Sequence, residues 1–349
     1  MEEDSKVVVA DGQPDEDEPK AKKRPGRRRR ARGSLTWLWV FLAFVGGLLL
    51  PAVVCGGLLM VAGVAASAGG TPAIGDLGVG PGVAVIRVEG VIVPGQSSGY
   101  LNEGAGSATI VDLIQQAQDS ADVKAILLRV DSPGGGVVAS DEIHHALQQV
   151  DKPIVVSMGT LAASGGYYIS APADYIFATP HTLTGSIGVI SSFVTAEELL
   201  DEVGVEVVVL TTGDFKDTGS FHREMTAEDQ AYWQDILDET YDGFVSIVAE
   251  GRGLSESEVR ELADGRVYTG QEALELGLVD ELGYFDDAVA KAGELGGIDG
   301  EPRLIELQPL PTFFDYLAVT QSGKGLLPSA LDILELMSTP QFEFRYIGP

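Results

Sequence analysis

The chain of 349 residues contains a single cysteine, Cys55. One cysteine cannot form an intramolecular disulfide, and the chain has no cluster of thiols that would hold a zinc ion. Stability therefore has to come from a hydrophobic core. We predict no metal ion and no other cofactor.

Basic residues are scarce beyond the first 34 positions. Residues 1–34 hold 10 of the 23 lysines and arginines and 8 of the 52 acidic residues, so the rest of the chain carries 13 basic and 44 acidic side chains. A surface of that sign repels phosphate groups. The composition therefore argues against nucleic acid as a partner.

Residues 35–68 contain no charged side chain. This run exceeds both the roughly 20 residues that a membrane-spanning helix needs and the roughly 7–15 apolar residues of a signal peptide. It predicts a transmembrane anchor. The alternative is that the apolar segment is removed by cleavage near residues 64–70. The arginines at 27–30 and 32 precede the run, which predicts a single-pass protein of the cell membrane with a cytoplasmic N-terminus. The rest of the chain is then expected on the extracytoplasmic side.

Composition divides the rest of the chain into further segments. Residues 1–34 are predicted to be a disordered charged tail, and residues 69–82, rich in glycine and proline, a linker. Over residues 83–300, short apolar runs alternate with helical patterns, which is typical of an α/β domain. One of the predicted strands covers residues 205–210. Residues 301–349 are an extension of unknown role, interrupted by prolines.

Ser164 follows a predicted buried strand and stands where a helical pattern begins. The first amides of a helix have no acceptor within the helix, so they can stabilise negative charge nearby. Ser164 is therefore a candidate nucleophile, and the amide of Gly165 is a candidate donor to an oxyanion. A serine and glycines that merely cap the helix are the alternative.

A second glycine cluster, Pro133-Gly-Gly-Gly-Val-Val, also follows an apolar strand. Glycine permits positive φ and leaves the backbone bare against a ligand, so the amide of Gly134 is a candidate oxyanion donor. Val137 and Val138 are expected to extend the strand beside which a peptide substrate binds. A tight loop that needs glycine only for its turn is the alternative.

A serine hydroxyl needs a neighbouring base to become an effective nucleophile. None of the four histidines stands in a context that suggests this role, and His144 and His145 fall on a helix face that is predicted to be solvated. Lys216, shortly after the predicted strand at 205–210, is the better candidate, because a lysine in dry surroundings can act as a base. A surface lysine paired with a neighbouring aspartate is the alternative.

Together these segments resemble the S49 family of serine peptidases, of the signal peptide peptidase A type. The resemblance covers about residues 83–295 and rests on several motifs in a fixed order. They are Asp131-Ser-Pro-Gly-Gly-Gly136, Ser157-Met-Gly-Thr-Leu-Ala-Ala-Ser-Gly-Gly-Tyr-Tyr168, Ala178-Thr-Pro-His-Thr-Leu-Thr-Gly-Ser-Ile-Gly-Val189, Gly265-Arg-Val-Tyr-Thr-Gly270 and Gly277-Leu-Val-Asp-Glu-Leu-Gly283.

The resemblance implies an α/β fold similar to Clp proteases and crotonases, a spiral of β-β-α units, with copies assembled into a homo-oligomeric ring. It also implies that Ser164 is the nucleophile and Lys216 the general base. Ser186 is implied to help hold the lysine amine, and Gly134 to stabilise the oxyanion. A Clp-type protease would need a catalytic histidine where this chain has Val189.

The predicted function is that of a membrane-anchored serine endopeptidase that cuts cleaved signal peptides or other apolar peptides at the membrane. One alternative is a related protease that acts on a specific membrane protein. Another is a catalytically silent membrane scaffold of the same fold. A third, a crotonase-like enzyme, is disfavoured because acyl-CoA is anionic and the chain is acidic.

Overall fold

The computed structural model describes residues 80–97, 104–309 and 342–346. The predicted tail and anchor, and most of the predicted linker and C-terminal extension, lie outside the described residues. Within the part of the chain that is described, no helix is both long enough and apolar enough to cross a bilayer.

The described residues form strands and helices that alternate along most of the chain. The strands are β1 (Gly82–Glu89), β2 (Val91–Val93), β3 (Gly104–Gly106), β4 (Val123–Ser132), β5 (Gly134–Gly136), β6 (Ile154–Ala163), β7 (Tyr175–Ala178), β8 (Leu183–Gly185), β9 (Ile190–Ser191), β10 (Val267–Thr269), β11 (Glu281–Leu282), β12 (Arg303–Leu307) and β13 (Phe342–Arg345). The helices are α1 (Ser107–Asp119), α2 (Val137–Gln148), α3 (Gly165–Ser170), α4 (Glu197–Glu202), α5 (Ala227–Arg252), α6 (Glu256–Leu262), α7 (Gly270–Glu275) and α8 (Phe285–Leu295).

The larger of two sheets has eight strands, and its main path runs β10-β8-β6-β4-β1-β12. The central pairs β1 with β4 and β4 with β6 are parallel. Both faces of β1 are covered: Ala84 and Ile86 belong to the main core, while Val83 and Val85 pack in a second cluster with residues of α8. Covered faces on both sides explain the unbroken apolar run in this strand.

The smaller sheet has five short strands in the order β3-β2-β5-β13-β9. The chain passes from β4 of the large sheet to β5 of the small sheet and then enters α2. This is the β-β-α unit that the resemblance implies. The predicted α/β class is confirmed, and so are the strands predicted around residues 83–88, 125–130 and 154–158.

The prediction of a strand at residues 205–210 is wrong. These residues have no regular secondary structure, and their apolar side chains are exposed, with Val208 at 75% and Leu210 at 94% of full exposure. An apolar run predicts that a segment is buried, but it does not identify the part of the protein that covers the segment. Within the described residues, no neighbouring strand pairs with this segment.

Candidate active site

Ser164 lies where β6 ends at Ala163 and α3 begins at Gly165, as the sequence predicts. Its backbone has φ 53° and ψ −117°, a conformation that residues with a side chain rarely adopt. The amide of Ser164 donates to the carbonyl of Gly185 at 2.8 Å, and the residue is 1% exposed. A sharp turn held in this way is typical of a functional site.

Ser186 lies beside Ser164 because β6 and β8 are parallel and pair Ala163 with Gly185 at their ends. The next residue of each strand therefore emerges at the same edge of the sheet. Ser186 also has a positive φ, 49°, and its amide donates to the carbonyl of Arg266 at 2.8 Å. Among the described residues other than glycine, only these two serines have positive φ.

Gly134 has φ 93° and lies against the turn that carries Ser164. A Cβ atom at this position would come within 2.5 Å of the amide nitrogen of Gly165, so the two predicted oxyanion glycines are brought together. The amide of Gly134 donates to the hydroxyl of Ser132 at 3.1 Å, and that hydroxyl donates to the carbonyl of Gly90 at 2.6 Å. The amide that the sequence analysis predicts as an oxyanion donor is thus hydrogen-bonded to Ser132 in this structure.

Replacing Gly134 with alanine is expected to disrupt the site. The new Cβ would lie 1.9 Å from the carbonyl oxygen of Phe344, and the positive φ adds strain of about 1–2 kcal/mol. Gly136→Ala is the matched control, since its Cβ would find its nearest neighbour at 3.7 Å, an ordinary contact. We expect the rate of peptide hydrolysis to fall at least about tenfold in Gly134→Ala only. Equal rates in the two variants would contradict the assignment of Gly134 to the site.

Val137 and Val138 do not extend the peptide-binding strand, so that prediction is wrong. Strand β5 ends at Gly136, and both valines lie in the first turn of α2, with Val138 68% exposed. The carbonyls of helical residues bond along the helix, and the amides of its first turn point along the helix axis, so neither can pair sideways with an extended strand. In this segment, only the glycine strand β5 has an edge at which an extended strand can pair.

That edge is paired with the C-terminal strand β13. Strand β13 is antiparallel to β5, with Phe344 opposite Gly135, and the amide of Tyr346 donates to the carbonyl of Pro133 at 2.8 Å. On its other side β13 pairs with β9, where Glu343 lies opposite Ile190. A segment of the C-terminal extension is thus bound as a strand in the cleft beside the candidate site.

An aromatic pocket holds the side chain of Phe344, which is 1% exposed. Its ring stacks on Tyr168 at a centroid distance of 4.8 Å and meets Phe244 at the same distance. Tyr168 donates to Asp141 at 2.8 Å, and burial together with this hydrogen bond raises the pKa of the phenol. The pocket wall is therefore uncharged in the neutral range.

A cavity of about 560 Å³ opens onto Ser164 and Ser186. It is bounded by the residues around Val189, by the α5 side chains Gln234, Leu237, Asp238 and Tyr241, by residues 263–265, and by Arg345 and Tyr346 of the C-terminal strand. The two serines and the end of the C-terminal strand therefore meet at one cavity. Within the described residues, no cluster of three potential metal ligands is present.

Lys216 is exposed and is not among the residues that line this cavity. The structure therefore does not bring the predicted base to the predicted nucleophile within the described chain. The residue after the lysine, Asp217, is held in place by Arg223. The guanidinium of Arg223 donates two hydrogen bonds of 3.0 Å to Asp217 and one of 2.6 Å to Asp229. Hydrogen bonds from Arg223 lower the pKa of both aspartates.

None of the four histidines lines the cavity. His145 is exposed as predicted, but the prediction for His144 is wrong. His144 is 6% exposed and meets the ring of Tyr168 edge-on at 5.4 Å, and burial lowers its pKa. It therefore supports the wall of the aromatic pocket from behind. Val189 borders the cavity, where a Clp-type site would need a histidine.

Three features of the site are not predicted from the sequence. They are the hydrogen bond from the amide of Gly134 to the hydroxyl of Ser132, the aromatic pocket, and the position of the C-terminal strand in the cleft. The only signal of the strand is Phe-Glu-Phe-Arg-Tyr at 342–346, in which aromatic and charged residues alternate.

The chain is similar to known proteases. Residues 146–299 match Peptidase family S49, and residues 101–184 match the Clp protease family. The chain is 48% identical over 188 residues to a putative protease of Synechocystis, which covers 53% of this chain and 67% of the relative. It is 43% identical over 216 residues to Protease 4 of Haemophilus influenzae, over 61% of this chain and 34% of that protein.

A third relative is a putative signal peptide peptidase SppA of Enterococcus faecium, 41% identical over 208 residues. The matched part covers 58% of this chain and 60% of that protein. The chain thus spans between about a third and two thirds of the length of these curated relatives. The Clp protease match agrees with the α/β fold and its mixed parallel and antiparallel strands.

Proposed function

The chain belongs to peptidase family S49, and we propose that it is a serine peptidase whose nucleophile is Ser164. The observation that carries this proposal is the position of Ser164. It lies in a sharp positive-φ turn, next to Ser186, at a cavity whose rim already binds an extended strand. A peptide bound in that way is presented to a fixed hydroxyl.

In the proposed reaction, the hydroxyl of Ser164 loses its proton to the unprotonated amine of Lys216 as the oxygen attacks the peptide carbonyl carbon. The amides of Gly134 and Gly165 then stabilise the oxyanion. When the C–N bond breaks, the lysine returns the proton to the leaving amine. Water hydrolyses the acyl-enzyme, with the same lysine as base, and Ser186 helps to hold the amine.

Lys216 is proposed to reach Ser164 from a neighbouring copy of the chain in a homo-oligomeric ring. Two observations support this. Within the described residues of one chain, Lys216 does not line the cavity at Ser164. Residues 203–210, just before the lysine, expose apolar side chains that include Val208 and Leu210. A second copy that covers this segment would bury apolar surface, which stabilises an assembly.

The substrates are proposed to be apolar peptides at the membrane, such as cleaved signal peptides. The support is the uncharged wall of the aromatic pocket and the uncharged residues 35–68, which would anchor the chain in the cell membrane. The arginines before that segment favour an extracytoplasmic position for the domain. The alternative function, cleavage of one particular membrane protein, would use the same site.

Labelling with a serine-reactive phosphonate tests the proposed function. We expect wild-type protein to gain one covalent adduct per chain, located on Ser164 by peptide mass mapping, and the Ser164→Ala variant to gain none. If labelling also abolishes peptide hydrolysis, the protein is an enzyme and not a catalytically silent scaffold. An adduct on another serine, or no adduct on an oligomeric sample, would contradict the proposal.

A further inference from the structure

The side chain of Lys216 is exposed, but the residues on both sides of it are held against helix α5. Before the lysine, the ring of Phe215 lies against the ring of Tyr232 in α5, at a centroid distance of 5.2 Å. After the lysine, the hydroxyl of Thr218 accepts a hydrogen bond of 3.1 Å from the indole nitrogen of Trp233, also in α5. The backbone that carries the lysine is therefore fixed from both directions.

Arg223 joins the residue after the lysine to the beginning of the same helix. Two of its nitrogens donate hydrogen bonds of 3.0 Å, one to each carboxylate oxygen of Asp217. Its third nitrogen donates to Asp229, in the first turn of α5, at 2.6 Å. A pair of parallel hydrogen bonds between charged groups fixes their orientation as well as their distance. One guanidinium thus holds Asp217 in a defined position relative to α5.

Asp229 is a well-fixed partner for this contact. It is buried and caps α5, because its amide donates to the hydroxyl of Thr226 at 3.1 Å and its carboxylate accepts from the amide of Thr226 at 3.0 Å. The side chains of Arg223, Asp217 and Asp229 are all at most 25% exposed. These ion pairs are therefore less accessible to water and salt than an ordinary surface salt bridge, which contributes little.

Helix α5 also borders the cavity at Ser164. It is continuous from Ala227 to Arg252, and the side chains that line the cavity begin about one turn after Asp229. They are Gln234, Leu237, Asp238 and Tyr241. The segment that carries the lysine is thus attached to a rigid element that is itself part of the site.

We propose that Arg223 is a positioning residue for Lys216, because it holds Asp217 against Asp229 and thereby fixes where the lysine amine is presented. This inference rests on the proposed function, in which that amine is the base. A base must lie within hydrogen-bond reach of the hydroxyl, and a displacement of about 1 Å can cost about 100-fold in rate. A lysine side chain is long and flexible, so a fixed backbone narrows the region that its amine occupies.

Single variants give the first test. We expect Arg223→Ala and Asp217→Ala each to lower kcat for peptide hydrolysis at least about tenfold and to leave KM within about twofold of wild type, because neither side chain lines the cavity. The double variant should have a kcat within about twofold of the slower single variant, because both changes break the same link. Rates are normalised to the oligomer recovered by size-exclusion chromatography, so unfolded protein does not contribute.

Arg87→Ala is the matched control for these variants. Arg87 also lies between two carboxylates, at 3.6 Å from Glu89 and 3.2 Å from Glu306, but it belongs to strand β1. Its removal should leave kcat within about twofold of wild type.

Mixed oligomers separate the positioning of the lysine from a general effect on the fold. In a mixture of Ser164→Ala and Lys216→Ala chains, only the first kind supplies the lysine and only the second supplies the serine. Arg223→Ala on the Ser164→Ala chain should lower the rate of this mixture at least about tenfold, whereas the same change on the Lys216→Ala chain should leave the rate within about twofold. Both mixtures contain the same substitutions, so a loss of stability would affect them equally.

The outcomes distinguish this inference from the proposed function. Equal, measurable rates in the two mixtures, or a loss confined to Arg223→Ala on the Lys216→Ala chain, would overturn the inference. If Lys216→Ala is slow while Arg223→Ala and Asp217→Ala are as fast as wild type, the proposed base stands and the positioning role fails. If Lys216→Ala itself is as fast as wild type, the base and the positioning role both fail. Slow single variants with inactive mixtures support the positioning role and contradict only the neighbouring copy.

Discussion

Ser164→Ala is expected to lower kcat for peptide hydrolysis by at least about 10⁴-fold, since removing the nucleophile of a serine peptidase leaves only the contribution of binding and oxyanion stabilisation. The variant should fold, because alanine fills less space than serine in this buried turn and keeps the backbone amide that binds the Gly185 carbonyl. Initial rates on a fluorogenic peptide library, measured at saturating substrate, report the change.

The matched control is Ser170→Ala, six residues further along, at the end of α3. Ser170 is also fully buried, and its hydroxyl donates to the carbonyl of Gly166 at 2.6 Å. Its loss should lower the free energy of unfolding by about 1 kcal/mol and leave kcat within about threefold of wild type. If Ser164→Ala retained a tenth of the wild-type rate, Ser164 would not be the nucleophile.

Lys216→Ala is expected to cause a loss of similar size, because without a base the serine hydroxyl stays protonated and nucleophilic attack is slow. Lys124→Ala serves as the control, since Lys124 is another exposed lysine that only donates to a carbonyl, that of Ala121. It should leave the rate unchanged. Rates at neutral pH on the same peptide library distinguish the two variants.

Mixed oligomers test whether the lysine comes from a neighbouring copy. If each site uses Ser164 of one copy and Lys216 of the next, random co-assembly of equal amounts of Ser164→Ala and Lys216→Ala chains should restore about a quarter of the wild-type rate. If both residues came from the same copy, every chain would lack one of them, and the mixture would stay inactive. If a confirmed mixed oligomer is inactive, the proposal that Lys216 comes from a neighbouring copy is therefore contradicted.

Local sequence patterns predicted the core of this fold well. Apolar runs bounded by glycine and proline placed β1, β4 and β6, and the change from strand to helix after Ala163 placed Ser164 at its turn. These features depend on periodicity and chain direction, which a single sequence records. The positive φ of Ser164 is not visible in the local pattern, and its amide is held by the carbonyl of Gly185 in another strand.

The errors arise where the local sequence pattern does not decide the structure. The valines at 137 and 138 follow a strand in sequence, but the helix begins immediately at Val137. The apolar run at 205–210 has the composition of a buried strand, yet its surroundings within the described chain leave it exposed. His144 was assigned to a solvated face because its sequence neighbours are polar, whereas Tyr168 and residues of other elements cover it.

The backbone at Ser164 and Ser186 has a further consequence for engineering. Both residues adopt positive φ, where a Cβ atom costs roughly 1–2 kcal/mol relative to glycine, and whole domains are stable by only about 5–15 kcal/mol. A directed-evolution campaign that selects for heat resistance alone would thus reward glycine at both positions and discard the hydroxyls. Libraries built on this scaffold need turnover as a second criterion from the first round.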